Sequence, residues 1–177
     1  MNQPANLNAR AVGIELLLLD VDGVLTDGSV IYADDGTELK RFHVRDGSGL
    51  KLWRMAGKRA AIVSGRKSVA VERRAAELGL LPVLQGRDDK MAALAEILTA
   101  TGLNASQVCA IGDDLPDVPV LRHCGLGVAV ADACAEARGA ASYVTTTPGG
   151  RGAVREAIEW LLKLQGRWDE VTAQYMG

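Results

Sequence analysis

Two rhythms of hydrophobic and polar positions run along the chain. Unbroken apolar runs of strand length occur at Leu16–Leu19, Ala60–Val63, Val108–Ile111 and Leu126–Val130. Without polar alternation, such runs suit strands buried on both faces of a parallel sheet. Between them, apolar positions recur at helical spacing. The spacing predicts helices over Asp46–Met55 with Gly57 as its stop, Ser68–Leu78 before Gly79, 90–101 with Leu94, Ile97 and Leu98 on one face, and Ala153–Leu164. Shorter elements fill the rest: strands at Pro82–Leu84 and Ser142–Val144, and a helix near Ala133–Arg138. One stretch departs from this alternation. In residues 29–44 two β-prone runs flank Asp34, Asp35 and Gly36, which predicts a hairpin. Its edges need covering, and another subunit is a natural cover. Residues 1–12 read as a loose leader and 166–177 as a tail. Strands alternating with helices predict one α/β domain over residues 1–177, doubly wound around a mostly parallel sheet.

Composition narrows the function classes. The chain has 177 residues, enough for one domain with a full core, and is 48% hydrophobic but only 4% aromatic. A net charge of -2 gives no basic footprint for nucleic acid. No apolar run reaches the ~18 residues of a membrane span. The first residues lack the charged start and apolar core of a signal peptide. Cys109, Cys124 and Cys134 are odd in number and lack metal spacing, as packing thiols in a reducing compartment would be. A cytoplasmic address follows from these readings.

The candidate chemistry sits where strands end. The first of these runs leads into Asp20 and Asp22, the second into Ser64, Gly65 and Arg66, and the third into Gly112, Asp113 and Asp114. Lys90 begins a helix. All four places fall on the carboxyl edge of the sheet, where such folds bind ligands. Two acids so close repel unless a proton or cation lies between them. Asp20 and Asp113 can supply hard oxygens to Mg²⁺, which prefers a few carboxylates plus water and substrate phosphate. Ser64 can donate to a phosphoryl oxygen, and Lys90 can offset charge as a phosphoryl group transfers. Each feature alone has an ordinary explanation as a turn, a cap or a solvated lysine. Their joint occurrence, in order and each after the right element, points to phosphate and divalent metal. Asp117 either orients Lys90 or caps the helix beginning near Pro116. His43 reads as a strand residue and His123 as a helix cap.

The set Asp20-x-Asp22-Gly-Val, Ser64-Gly-Arg, Lys90 and Gly112-Asp113-Asp114-x-x-Asp117 resembles the four motifs of the haloacid dehalogenase superfamily of phosphatases, whose fold is Rossmann-like. From about Leu16 to Gln165 the chain also resembles the uncapped 3-deoxy-D-manno-octulosonate 8-phosphate phosphatases. The carriers are Asp20–Gly28, the hairpin, Arg45–Gly49, Gln85-Gly86 before Asp89-Lys90, and Gly149–Glu156. The resemblance implies that Asp20 is the nucleophile, forming an aspartyl-phosphate. Asp22 would protonate the leaving oxygen and then act as base toward water. Mg²⁺ would bind Asp20, the backbone carbonyl of Asp22, and Asp113, with Asp114 acting through water. Ser64, Gly65 and Lys90 would hold the phosphoryl group. The pathway implied is lipopolysaccharide precursor synthesis.

Spacing bears on the substrate. Hairpin, helix and strand consume the stretch from Asp20 to Ser64; a helix and a short strand consume that from Ser64 to Lys90. No room remains for a cap domain. An uncapped site takes a macromolecule or borrows its lid from another subunit. The resemblance implies a homotetramer with sites at subunit contacts, over which the Gly149–Arg155 segment, with Arg151, can fold. Arg66 can meet a sugar acid's carboxylate in a bidentate fork, with Arg74 and Arg73 further along the same helix. Relatives acting on nine-carbon sugar acid phosphates resemble an acidic residue at position 66, so arginine favours the eight-carbon substrate. The runner-up within the enzyme class is the nine-carbon phosphatase. Outside it stand a phospho-aspartate receiver domain, whose phosphoacceptor follows a middle strand, and a catalytically dead regulatory subunit, from which motif residues would be missing.

Overall fold

The structure, a computed structural model, describes residues 3–177. The described residues form eight strands: β1 Leu16–Leu19, β2 Ile31–Tyr32, β3 Glu38–Leu39, β4 Arg59–Ser64, β5 Val83–Gln85, β6 Val108–Gly112, β7 Leu126–Ala129 and β8 Tyr143–Val144. Six of them make one sheet in the order β5-β4-β1-β6-β7-β8, and every pairing in it is parallel. β1 is central. Its four leucines pair with β4 on one side and β6 on the other, and all four are buried. This is why the run carries no polar position.

The helices are α1 Gln3–Val12, α2 Val44–Met55, α3 Val69–Leu78, α4 Lys90–Thr101, α5 Val118–His123, α6 Ala135–Ala140, α7 Ala153–Leu164 and α8 Trp168–Thr172. α2 packs along α7, and both touch α8. α4, α5 and α6 form a second set, α5 lying on β6 and β7. Right-handed crossovers explain the division. Steps from β1 toward β5 put their helices on one face, and steps from β5 back through β6 toward β8 put theirs on the other. Cys109 and Cys124 are free, buried thiols. The described residues contain no cap domain.

Three expectations need correction. The loose leader is a helix: α1 covers all of it except residues 1 and 2, which lie outside the described residues, and the turn after it. Leu7, Ala11 and Ile14 share one side of that segment and join the core, and Gln165 donates to the Ala11 and Ile14 carbonyls at 2.8 and 3.1 Å. The tail likewise folds. α8 buries Val171, and the Trp168 ring lies beneath Arg155 and Lys163 at 5.3 and 5.5 Å. Its amphipathic signal is only five residues long. The hairpin forms, but its paired strands are two residues each. His43 is the residue preceding α2, outside any strand. At the hairpin tip Gly36 takes a φ of 83°, as the turn requires.

Candidate active site

The ends of β1, β4 and β6 converge on one cleft of about 380 Å³, lined by Asp20, Asp22, Ser64, Arg66, Lys90 and Asp113 among others. Gly65 and Asp114 also line it. That volume suits a small molecule. Directly after β1 the chain coils tightly: the N–H groups of Val24, Leu25 and Thr26 all point to the Val21 carbonyl, at 3.3, 2.9 and 3.0 Å. This coil swings Asp22 back over the sheet edge, beside Asp20. Gly23 sits in the coil with a φ of 95°, and a Cβ there would lie 2.1 Å from an Asp113 carboxylate oxygen. Only glycine admits both the backbone and the close approach.

Lys90, the first residue of α4, is buried between two acids. Its Nζ donates to Asp20 Oδ1 at 2.8 Å and to Asp117 Oδ1 at 2.5 Å. Asp117 also accepts from the Asp113 and Asp114 N–H groups at 3.0 and 3.3 Å. It therefore holds the ammonium and closes the turn after β6, combining the two contacts the sequence leaves open. Ser64 is buried at the end of β4, and its Oγ accepts from the Arg66 N–H at 3.2 Å.

The electrostatics are those of an unneutralised acid cluster. Burial, with Asp117 opposing Lys90, raises the Asp20 carboxyl from 3.8 to about 6. Burial and then the Asp20 charge raise Asp113 to about 7. Burial opposes the Lys90 charge, yet Asp20 and Asp117 overcome it and its pKa rises. Asp20, Asp113 and Asp117 each offer an oxygen, all within 4.8 Å of one another. Asp117 is already occupied by Lys90 and two backbone donors, whereas Asp113 forms no ion pair among the described residues. A hard divalent cation shared by Asp20 and Asp113 fits this donor set and would reverse both upward shifts. Asp114 lies exposed at the rim.

Arg66 lies at the mouth, where its guanidinium donates to Glu38 of the hairpin at 2.5 Å and its Nε stands 3.7 Å from Asp22. Arg74 and Arg151 are not brought to the acid cleft within the chain. Arg74 pairs with Glu77 at 3.0 Å and lies over the Phe42 ring. Arg151 stands 3.6 Å from Asp27 and lines a different hollow, with Arg45 and Arg155. The Gly149–Gly150 segment instead presses on the back of the β1 coil: a Cβ on Gly149 would meet the Gly23 carbonyl oxygen at 1.7 Å. Sequence reasoning missed Glu38 and Lys40. Lys40 forms an ion pair with Asp22 from beneath the cleft. No local sequence signal marks them, because the contact forms only when the hairpin folds back onto the β1 coil.

A family model for haloacid dehalogenase-like hydrolases matches residues 76–158. Over 170 residues the chain is 45% identical to the 3-deoxy-D-manno-octulosonate 8-phosphate phosphatase KdsC of Escherichia coli K12, covering 96% of this chain and 90% of that protein. The crystal structure of the Moraxella catarrhalis 3-deoxy-D-manno-octulosonate 8-phosphate phosphatase, in complex with magnesium, phosphate and KDO, is 42% identical. It superposes with a TM-score of 0.95 over 98% of this chain and 99% of that one. The cobalt-bound Haemophilus influenzae phosphatase is 40% identical with a TM-score of 0.87, over 90% of this chain and 93% of that one.

Proposed function

The chain belongs to the haloacid dehalogenase superfamily, in the family of 3-deoxy-D-manno-octulosonate 8-phosphate phosphatases, and on that premise we propose how its own residues carry the reaction. It is a phosphoric monoester hydrolase that converts 3-deoxy-D-manno-octulosonate 8-phosphate to the free sugar acid and phosphate, a step of lipopolysaccharide precursor synthesis. The observation that carries the reading is the pairing of Asp20 with Lys90, beside Asp113, at the end of a central strand.

Asp20 attacks phosphorus and becomes an aspartyl-phosphate, while the sugar oxygen leaves. Asp22 gives that oxygen its proton and then takes one from the water that hydrolyses the intermediate. Ser64 and the Gly65 backbone hold phosphoryl oxygens. Lys90, kept in place by Asp117, offsets the charge that builds on them. Magnesium would be held by Asp20, the Asp22 carbonyl, Asp113 and, through water, Asp114. Bound there, it supplies charge neutralisation, without which a carboxylate approaches a dianionic phosphate poorly. Arg66 recognises the sugar acid's carboxylate. Arg151 contributes to the site of a neighbouring subunit in a cytoplasmic homotetramer, whose contacts also close the uncapped cleft. Exposed Val30, Ile31, Tyr32 and Leu39 on the hairpin support that assembly.

A Mg²⁺-dependent phosphate-release panel over eight- and nine-carbon keto-sugar phosphates, hexose phosphates and phosphopeptides tests the reading. The eight-carbon sugar acid phosphate is expected to give the highest kcat/KM. Preference for hexose phosphates would sink the substrate assignment, and full activity in Asp20→Asn would sink the mechanism.

A further inference from the structure

Asp22 lines the cleft, but its two oxygens have different surroundings. Oδ1 accepts from the Lys40 ammonium. Oδ2 is buried with no hydrogen-bond partner among the described residues, and Arg66 Nε is 3.7 Å away. Lys40 itself does not reach the cleft. Its side chain is 2% exposed, sealed between the hairpin and the β1 coil, and its second acidic neighbour is Glu38 at 3.7 Å. Glu38 in turn accepts from Arg66 at 2.5 Å. Asp22, Lys40, Glu38 and Arg66 thus close a ring in which charge alternates at every step. A buried ammonium is tolerated only when paired, and each member of this ring supplies that pairing to the next.

We propose that Lys40 is a positioning residue for the proton-transfer step: it pins one oxygen of Asp22 from behind so that the other faces the leaving oxygen of the substrate. This rests on the phosphatase reading above and adds to it a part for the hairpin within its own subunit. A carboxyl group free to rotate about χ1 and χ2 spends much of its time off the reacting line, and proton transfer requires hydrogen-bond reach. Lys40 removes that freedom without occupying the oxygen that reacts. Glu38 keeps the ammonium in register and holds Arg66 at the rim.

Leaving-group dependence tests the proposal. A sugar alkoxide must be protonated as it departs, whereas 4-nitrophenolate leaves without help. Lys40→Met is expected to lower kcat/KM on the sugar acid phosphate by about 10²-fold, the scale of a positioned general acid. On 4-nitrophenyl phosphate the loss should be at least about tenfold smaller, because that substrate skips the proton transfer. Lys40→Arg, which keeps a cation behind Asp22, should recover the larger part. Equal losses on both substrates would overturn the proposal, since they would signal a loosened hairpin or coil. No loss on either would overturn it as well. The wild-type substrate panel judges the underlying reading separately, because the Lys40 comparison holds for any alkyl phosphate the wild-type enzyme hydrolyses.

Discussion

The catalytic edge and the hairpin adjoin each other and are built on opposite terms. At the edge, β1 is paired on both sides, its leucines are buried, and Lys90 and Asp117 find partners within the chain. In the hairpin, two-residue strands pair only with each other, while Tyr32 is 64% and Val44 just beyond it 78% exposed. The edge has its geometry imposed by the sheet. The hairpin has one anchored side, where Tyr32 stands opposite Glu38, Glu38 meets Arg66 and Lys40 pairs with Asp22, and one apolar side, where Ile31 stands opposite Leu39 and both are exposed. A buried parallel sheet can hold charges at fixed distances because every backbone group around them is already paired. A short ribbon cannot do so alone and acquires a definite shape through what it docks against.

If the edge is self-sufficient, cutting one of its internal ties should impair chemistry and leave assembly intact. Asp117→Asn keeps the shape of the side chain and removes the charge that holds Lys90. The expected loss in activity is about 10- to 100-fold, the usual range for a group acting through its neighbour. Sedimentation should show the wild-type oligomer. An unchanged rate would mean that Asp20 alone positions Lys90, and that the edge is less interdependent than its contacts imply.

The contrast also explains what was legible in the sequence. Asp20, Ser64 and Asp113 end apolar runs, so their convergence follows from sheet topology alone, and Lys90 follows from a helix start. The pairing of Lys40 with Asp22 depends on the hairpin folding back onto the coil, which no local period encodes. Arg74 shows the same limit: its helix is evident, but which way that face points is decided by packing against Phe42 and Gly47. The Leu7, Ala11 and Ile14 spacing of α1 was present, yet a single turn-to-turn repeat among polar residues barely exceeds chance.

The hairpin should respond to the opposite test. Leu39→Asp places a charge on its exposed apolar side, 51% accessible in the single chain. The fold should melt within a few degrees of wild type, since exposed positions rarely cost more than about 0.5 kcal/mol. Assembly should weaken, as seen by sedimentation equilibrium, and activity should fall with it to the extent that a neighbouring subunit closes the cleft. An unaltered oligomer would show that this side of the hairpin faces solvent.

Proton linkage gives the smallest effect and the finest separation of the two regions. At the edge, Asp20 and Asp113 have pKa values raised from 3.8 to about 6 and about 7. Carboxyls harder to ionise in the fold than in the unfolded chain favour the fold when protonated. Their contribution is full below the unfolded value and is lost as pH rises toward 6 for Asp20 and 7 for Asp113. Partial solvent exposure of Asp113 limits the slope to about 1 kcal/mol per pH unit at most. The hairpin carboxylates carry the opposite sign. The Arg41 hydrogen bond holds Asp27 down at about 2, and the Arg66 hydrogen bond lowers Glu38. Their contribution is present above the unfolded values and is lost only as pH falls through the folded ones. Calorimetry of the metal-free protein between pH 5.5 and 7.5 therefore reads the edge rather than the hairpin carboxylates, and its melting temperature should decline across that window. Mg²⁺ should raise the melting temperature more at pH 7.5 than at pH 5.5, because the cation binds ionised carboxylates and stabilises the state it binds. Leu39→Asp should leave that pH dependence of the magnesium effect in place. If it flattened instead, the edge would owe its electrostatics to the assembled hairpin, and the separation of the two regions would fail.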